Sequence, residues 1–199
     1  MKKTSLIIIA AVIVLLGLGG VSSYNGLVSL DQAVRAQWGQ VENVYQRRSD
    51  LIPNLVETVK GAAAFEKETF TKVAEARAKV VQISGEGLDK MLSDPEAFKR
   101  FQQAQGELSS ALSRLMAVSE RYPDPKATAA FRDLQAQLEG TENRIAVERM
   151  RFNETAQAFN TKRAHFPTVL FASLFGSRFK EKDYFQAQPG AEVAPKVKF

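Results

Sequence analysis

The chain has 199 residues, of which 45% are hydrophobic and 25% are charged, and its formal net charge is +5. This composition is typical of one ordinary globular domain. Cysteine is absent and His165 is the one histidine, which excludes disulfides, thiolate chemistry and histidine-based metal sites. His165 would have to be the only acid or base that titrates near neutral pH, which argues against most enzyme classes, and we expect a non-enzymatic protein with no cofactor and no metal.

The first 23 residues are typical of a membrane anchor. No charged residue lies between Lys3 and Asp31, and residues 6–21 are continuously apolar or glycine. A bilayer core needs about 20 helical residues, which residues 4–23 supply. The alternative is a cleaved signal peptide, since Lys2 precedes the apolar stretch and residues 20–22 resemble a small-residue cleavage site.

The positions of basic residues predict the orientation of this anchor. Lys2 and Lys3 precede the apolar stretch, whereas Arg35 is the one basic residue soon after it. Basic residues near a span favour the cytoplasmic side. We therefore expect a cytoplasmic N-terminus and the rest of the chain outside.

Residues 24–165 are predicted to form an all-α domain. Apolar residues recur at steps of three and four in four series, over residues 27–45, 52–83, 98–122 and 131–166. Such spacing predicts amphipathic helices that bury their apolar faces against one another. The predicted fold is an N-terminal transmembrane helix followed by an up-and-down antiparallel four-helix bundle with a short C-terminal tail.

Local signals predict where these helices begin and end. Asp94-Pro95 and Asp124-Pro125 each place a capping carboxylate before a proline at the first helical position, and residues 84–87 are typical of a loop. We expect the first turn near residues 48–50, although Pro53 could instead kink one long helix. The up-and-down order would bring Phe166 near the bilayer.

A polar run at this first turn is the candidate interaction motif: Arg47, Arg48, Asp50, Pro53 and Asn54. Arginines at a helix end can dock carboxylates of a partner at the membrane-distal end of the bundle. In the simpler structural interpretation, which we favour, they complement the helix dipole while Asp50 caps the next helix.

Residues 166–199 form a basic, aromatic tail. The candidate membrane-interface residues are Phe171, Leu174, Phe175, Phe179, Lys180 and Lys182. The alternative is a short segment folded back over the bundle. Residues 4–160 carry a net charge of −1, which argues against nucleic-acid binding.

Three polar residues of the fourth series are expected to be structural. Asn153 and Asn160 lie seven residues apart on one helix face, where they could fix helix register or satisfy a neighbouring turn. Glu148 is expected to be a partly buried carboxylate paired with an arginine.

Several runs closely resemble the LemA family of bacterial membrane proteins. The most specific is RRSDLIPNLVETVKG at residues 47–61, joined by YNGLV at residues 24–28, Trp38, ARA at residues 76–78 and NRIAV at residues 143–147. Phe152 and Phe159 replace a tyrosine that is common in the family. The resemblance implies a membrane helix followed by a four-helix bundle, adds no catalytic residues, and associates some members with membrane-compartment formation.

Together these features predict a membrane-anchored scaffold or adaptor in the bacterial inner membrane. Its expected partners are the lipid bilayer, further copies of the chain, and an unidentified membrane or envelope protein. The alternative is a soluble periplasmic bundle, released by signal cleavage, that binds a small ligand or partner.

Overall fold

The computed structural model describes residues 2–62, 67–121, 128–172 and 174–187. These ranges contain six helices and a short 3₁₀ turn: α1 (Lys2–Ala62), α2 (Lys67–Ser84), α3 (Leu88–Ser93), α4 (Pro95–Arg121), α5 (Thr128–Ala164), α6 (Thr168–Ala172) and the turn Gly176–Phe179. They contain no strand, and the predicted all-α class is confirmed.

Helix α1 has an apolar part and a bundle part. Its side chains from residue 3 to residue 18 are all exposed, whereas those facing the core are buried from Leu27 onward. The apolar part has a mean hydropathy of 2.6 and is long and apolar enough to cross a membrane. With 61 residues, α1 is about 90 Å long at 1.5 Å per residue.

Four helices share one buried core. Helix α1 packs against α5 and helix α2 packs against α4, in a layout consistent with an antiparallel bundle. The Trp38 side chain of α1 is 1% exposed, and its ring lies 5.2 Å from that of Phe101 in α4 and 5.6 Å from that of Phe152 in α5. The tryptophan therefore joins three helices at the aromatic centre of the core.

Two of the predicted helix boundaries are confirmed. Helix α4 begins at Pro95, and the carboxylate of Asp94 accepts a hydrogen bond of 3.0 Å from the backbone N–H of Glu96. Residues 84–87 connect α2 to the short helix α3, and Gly87 has a φ of 91°, which favours glycine. The predicted start at Asp124-Pro125 lies outside the described residues.

The turn predicted near residues 48–50 is wrong, because α1 continues through Pro53 to Ala62. Proline has no N–H to donate to the carbonyl four residues earlier, which here belongs to Ser49. The Nε of Arg77 in α2 donates a 3.2 Å hydrogen bond to that carbonyl oxygen. A side chain from the neighbouring helix thus replaces the missing bond, and the second apolar series is divided between α1 and α2.

Candidate functional site: the Arg48 cluster and the C-terminal tail

Arg48 lies midway along the bundle and is 1% exposed. Its Nη1 donates 2.8 Å hydrogen bonds to Ser109 Oγ in α4 and to Glu142 Oε1 in α5. Its Nη2 donates to the side-chain oxygen of Gln105 and, at 3.4 Å, to the carbonyl of the same residue. The guanidinium therefore connects α1 to two other helices within the bundle.

The other residues of the predicted interaction motif do not join Arg48 in one site. Arg47, Pro53 and Asn54 are exposed on α1. The carboxylate of Asp50 accepts a 2.8 Å hydrogen bond from Gln46 Nε2 one turn earlier, so it caps no helix. The structural interpretation favoured from the sequence is wrong in its turn and in its Asp50 cap, because these residues lie within a continuous helix. A partner-binding role for the exposed residues stays a prediction.

A polar groove opens beside the Arg48 cluster between α4 and α5. Its volume is about 710 Å³, and both charge signs line it, including those of Lys99, Glu107 and Arg149. The Arg48 guanidinium lies 5.1 Å from the centre of the Tyr45 ring, and burial raises the pKa of that tyrosine. Among the described residues, no group of three histidine or acidic side chains could hold a metal ion.

The end of the described chain runs in an extended form along α5. Asn160 pairs with the backbone of Lys182 through bonds of 2.8 Å and 2.9 Å, donating from Nδ2 and accepting at Oδ1. Asn153 pairs in the same way with the backbone of Phe185, at 2.9 Å and 2.8 Å. The two amides thus satisfy a neighbouring segment, one of the two roles expected for them.

This extended segment completes the aromatic core. The Phe185 ring lies 4.9 Å from Phe98 and 6.0 Å from Trp38, and its side chain is 6% exposed. Phe179 is 1% exposed, and its ring lies 5.6 Å from Tyr24 at the start of the bundle. The prediction of Phe179 at a membrane interface is therefore wrong, because this side chain fills the bundle.

A buried ion pair fastens the tail to α1. Lys182 Nζ lies 2.8 Å from Asp31 Oδ1, and the two side chains are 3% and 1% exposed. Arg35 Nε donates a 2.9 Å hydrogen bond to the other carboxylate oxygen. Burial alone would raise the pKa of Asp31, but Lys182 and Arg35 outweigh it and hold the pKa below its usual range. The membrane-interface prediction is wrong for Lys182 as well.

The remaining tail candidates lie at the apolar end of the bundle. Phe171 packs against α1 so closely that a methyl group on Gly20 would lie 3.4 Å from its ring. Phe175 is partly buried, with its ring 5.2 Å from that of Tyr24. Leu174 is 78% exposed and Lys180 is also exposed. These residues are the part of the predicted interface that can face outward or towards the span.

The family model described as LemA family matches residues 37–199. The chain belongs to the LemA family. It is also 29% identical over 184 residues to Magnetosome protein MamQ of Magnetospirillum gryphiswaldense and to Magnetosome proteins MamQ 1 and MamQ 2 of Paramagnetospirillum magneticum. Each alignment covers 85% of this chain and 67% of the relative. The LemA match includes the tail as well as the bundle helices.

Sequence reasoning missed most partners in this LemA bundle, although one signal was present. Asp31 follows Leu27 by four residues and precedes Val34 by three, so a carboxylate occupies the apolar stripe of α1. That position predicts a buried charge in need of a cation. The expected pairing of Glu148 is confirmed: it lies 2.9 Å from Arg151, and it also accepts a 2.7 Å hydrogen bond from Gln37.

Proposed function

We propose that this LemA-family protein is a non-enzymatic scaffold or adaptor, anchored in the bacterial inner membrane by residues 1–23, with its bundle on the exoplasmic side. The observation that carries the proposal is the exposed apolar part of α1. The same helix continues without a break into the bundle, where its side chains enter the buried core. Exposed leucine, isoleucine and valine over this length suit a hydrocarbon environment.

The shape of α1 supports an adaptor. Between Ser23 and Ala62 the helix has no break, and these residues extend over about 60 Å at 1.5 Å per residue. A helix of this length, packed against α5, holds the far end of the bundle at a fixed distance from the bilayer. The membrane-distal end of the bundle is then available to bind a partner protein away from the bilayer.

The chemistry of the bundle also supports a binding role rather than catalysis. Its buried polar groups, such as Arg48 and Lys182, form contacts that join helices and tail. The partners proposed are further copies of the chain or another envelope protein, bound on the outer faces of the helices. The relatives named as magnetosome proteins agree with a role in organising a membrane-bound assembly.

Single-cysteine labelling tests the anchor and its orientation, because the native chain has no cysteine. Val81→Cys probes an α2 side chain that is 54% exposed, and Thr4→Cys, at the first residue of the span, is the control that keeps both lysines. In spheroplasts, a membrane-impermeant maleimide should label position 81 without permeabilisation and position 4 only after it. The opposite pattern would refute the orientation, and an intact mass shortened by about 22 residues would indicate a cleaved signal.

Purification from native membranes tests the scaffold role. The full chain, extracted in mild detergent, should co-purify with copies of itself or with an envelope protein, as measured by native mass spectrometry. Met150→Cys, on an exposed α5 side chain, should form a cross-link absent in a denatured control. Recovery of monomer alone, with no cross-link from position 150 or 81, would refute the assembly.

A further inference from the structure

An exposed apolar patch surrounds α6. Phe166 is 79% exposed, Val169 is 45% exposed and Leu174 is 78% exposed. Large apolar side chains grouped in this way at a protein surface mark a site of contact with a partner or a membrane. Elsewhere on the bundle, the described large apolar side chains that are at least 40% exposed are Val81 on α2 and the pair Val147 and Met150 on α5, and neither place has a side chain as exposed as Phe166 or Leu174.

This patch lies beside the apolar part of α1. The Phe171 ring packs against Gly19 and Gly20, and the hydroxyls of Thr168 and Ser23 lie 3.5 Å apart. If residues 4–23 cross the bilayer, Gly20 lies about 4–5 Å inside the boundary at 1.5 Å per residue. The patch is therefore level with the edge of the hydrocarbon region.

The charges around the patch fit the same position. Residues 164–177 contain no lysine, arginine, aspartate or glutamate. Lys162 precedes this stretch, while Arg178 and Lys180 follow it, and all three side chains are exposed. Glu181 and Asp183 are the exposed acidic residues that follow. An apolar segment bounded by basic residues is typical of protein elements that lie in a membrane interface.

We infer that α6 and its flanking residues Phe166, Pro167 and Leu174 form a second membrane contact that enters only the leaflet nearest the bundle. The occupant of the patch is the lipid bilayer itself, and this inference rests on the proposed anchoring by residues 1–23. Two contacts close together, one spanning and one interfacial, fix the rotation and tilt of the bundle.

Depth-dependent quenching in proteoliposomes tests this contact on the full chain. Leu174→Cys carries an NBD label, and the vesicles contain phosphatidylcholine and phosphatidylglycerol, with or without doxyl-labelled lipid. Leu15→Cys in the span is the positive control and Val81→Cys on α2 is the negative control; these side chains are 68% and 54% exposed. The label at position 174 should be quenched several-fold more than at position 81, with blue-shifted emission.

Each result has a distinct meaning. Quenching at position 15 with none at position 174 would overturn the second contact and leave the anchor intact. No quenching at position 15 would instead refute the anchor on which the inference depends. Phe166→Cys, on the other side of α6, provides an independent label, and unchanged emission from Trp38 shows that the bundle remains folded. Failure of both positions 166 and 174 to be quenched refutes the inference.

Discussion

Replacement of Lys182 by methionine tests whether the buried ion pair holds the tail against α1. The substitution keeps most of the side-chain volume but removes the cation that lies 2.8 Å from Asp31 Oδ1. Breaking a buried pair by removing one partner costs about 3–5 kcal/mol, since the other charge is left uncompensated. Because Arg35 still bonds the carboxylate, we expect the lower end, about 3 kcal/mol.

The assay is urea unfolding of the full chain in detergent micelles, followed by fluorescence of Trp38. This is the one tryptophan in the chain and it lies among the rings that Phe185 contacts, so its emission reports both the bundle and the tail. The control is Lys180→Met, two residues away on an exposed side chain. It should change the free energy of unfolding by no more than about 0.5 kcal/mol.

A double variant distinguishes two causes of destabilisation: the loss of the Asp31–Lys182 contact and the burial of Asp31 without its cation. Asp31→Leu combined with Lys182→Met replaces both charged partners with apolar groups, which is often neutral for a buried pair. We expect the double variant to recover most of the stability lost in Lys182→Met. If Lys182→Met costs no more than its Lys180→Met control, or if the double variant is the sum of its single variants, the reasoning about a buried charge is refuted.

Three further predictions concern the other buried polar groups. Arg48→Met should lower the free energy of unfolding by about 2–3 kcal/mol, because it strands partners in α4, whereas its exposed neighbour Arg47→Met should be nearly neutral, as measured by urea unfolding. Asn153→Ala and Asn160→Ala each remove a reciprocal pair of backbone contacts, at about 1–3 kcal/mol, and should accelerate hydrogen exchange in residues 180–187. The pKa of Asp31 is lower in the folded protein than its ordinary value of 3.8, so the ionised carboxylate stabilises the fold fully above pH 3.8 and loses this effect as the pH falls through the folded-state pKa. The difference in unfolding free energy between the native chain and Asp31→Asn should therefore shrink below pH 3.8.

These predictions can each fail in a specific way. If Arg48→Met is as nearly neutral as Arg47→Met, the buried guanidinium contributes no net stability. Unchanged exchange in residues 180–187 would show that the asparagine amides do not hold the tail. A constant stability difference for Asp31→Asn from neutral pH to pH 3 would contradict the depressed carboxyl pKa, provided that both proteins remain folded.

The sequence predicted regular elements well because their signals are local. Apolar spacing is visible within one helix. The start of α4 depends on the Asp94 carboxylate and the backbone N–H of Glu96, two residues later. The error at Pro53 has a different origin. A proline usually marks a helix boundary because it has no N–H to donate to the carbonyl four residues earlier. Here Arg77 of α2 donates to that carbonyl instead. No local pattern shows that a residue on another helix provides this compensation.

The candidate site was harder to predict for the same reason. The basic and aromatic composition of the tail suggested a membrane interface and equally a segment folded over the bundle. The structure divides the tail between these roles, since Phe179 and Lys182 are buried while Leu174 is exposed. Composition describes the segment as a whole. Whether a given tail residue is buried or exposed depends on contacts of the tail with Asp31, Asn153 and Asn160, which are distant in sequence.

The return of the tail to α1 has a consequence for biosynthesis. Arg178 Nη1 donates a hydrogen bond to the hydroxyl of Tyr24 across 154 residues of sequence, and Phe185 fills the space beside Trp38. Contacts between such distant positions form late, since the intervening chain must first be made and ordered. The aromatic centre therefore stays open until nearly the whole polypeptide has been synthesised, and a chain truncated before Phe185 would display that opening to chaperones and proteases.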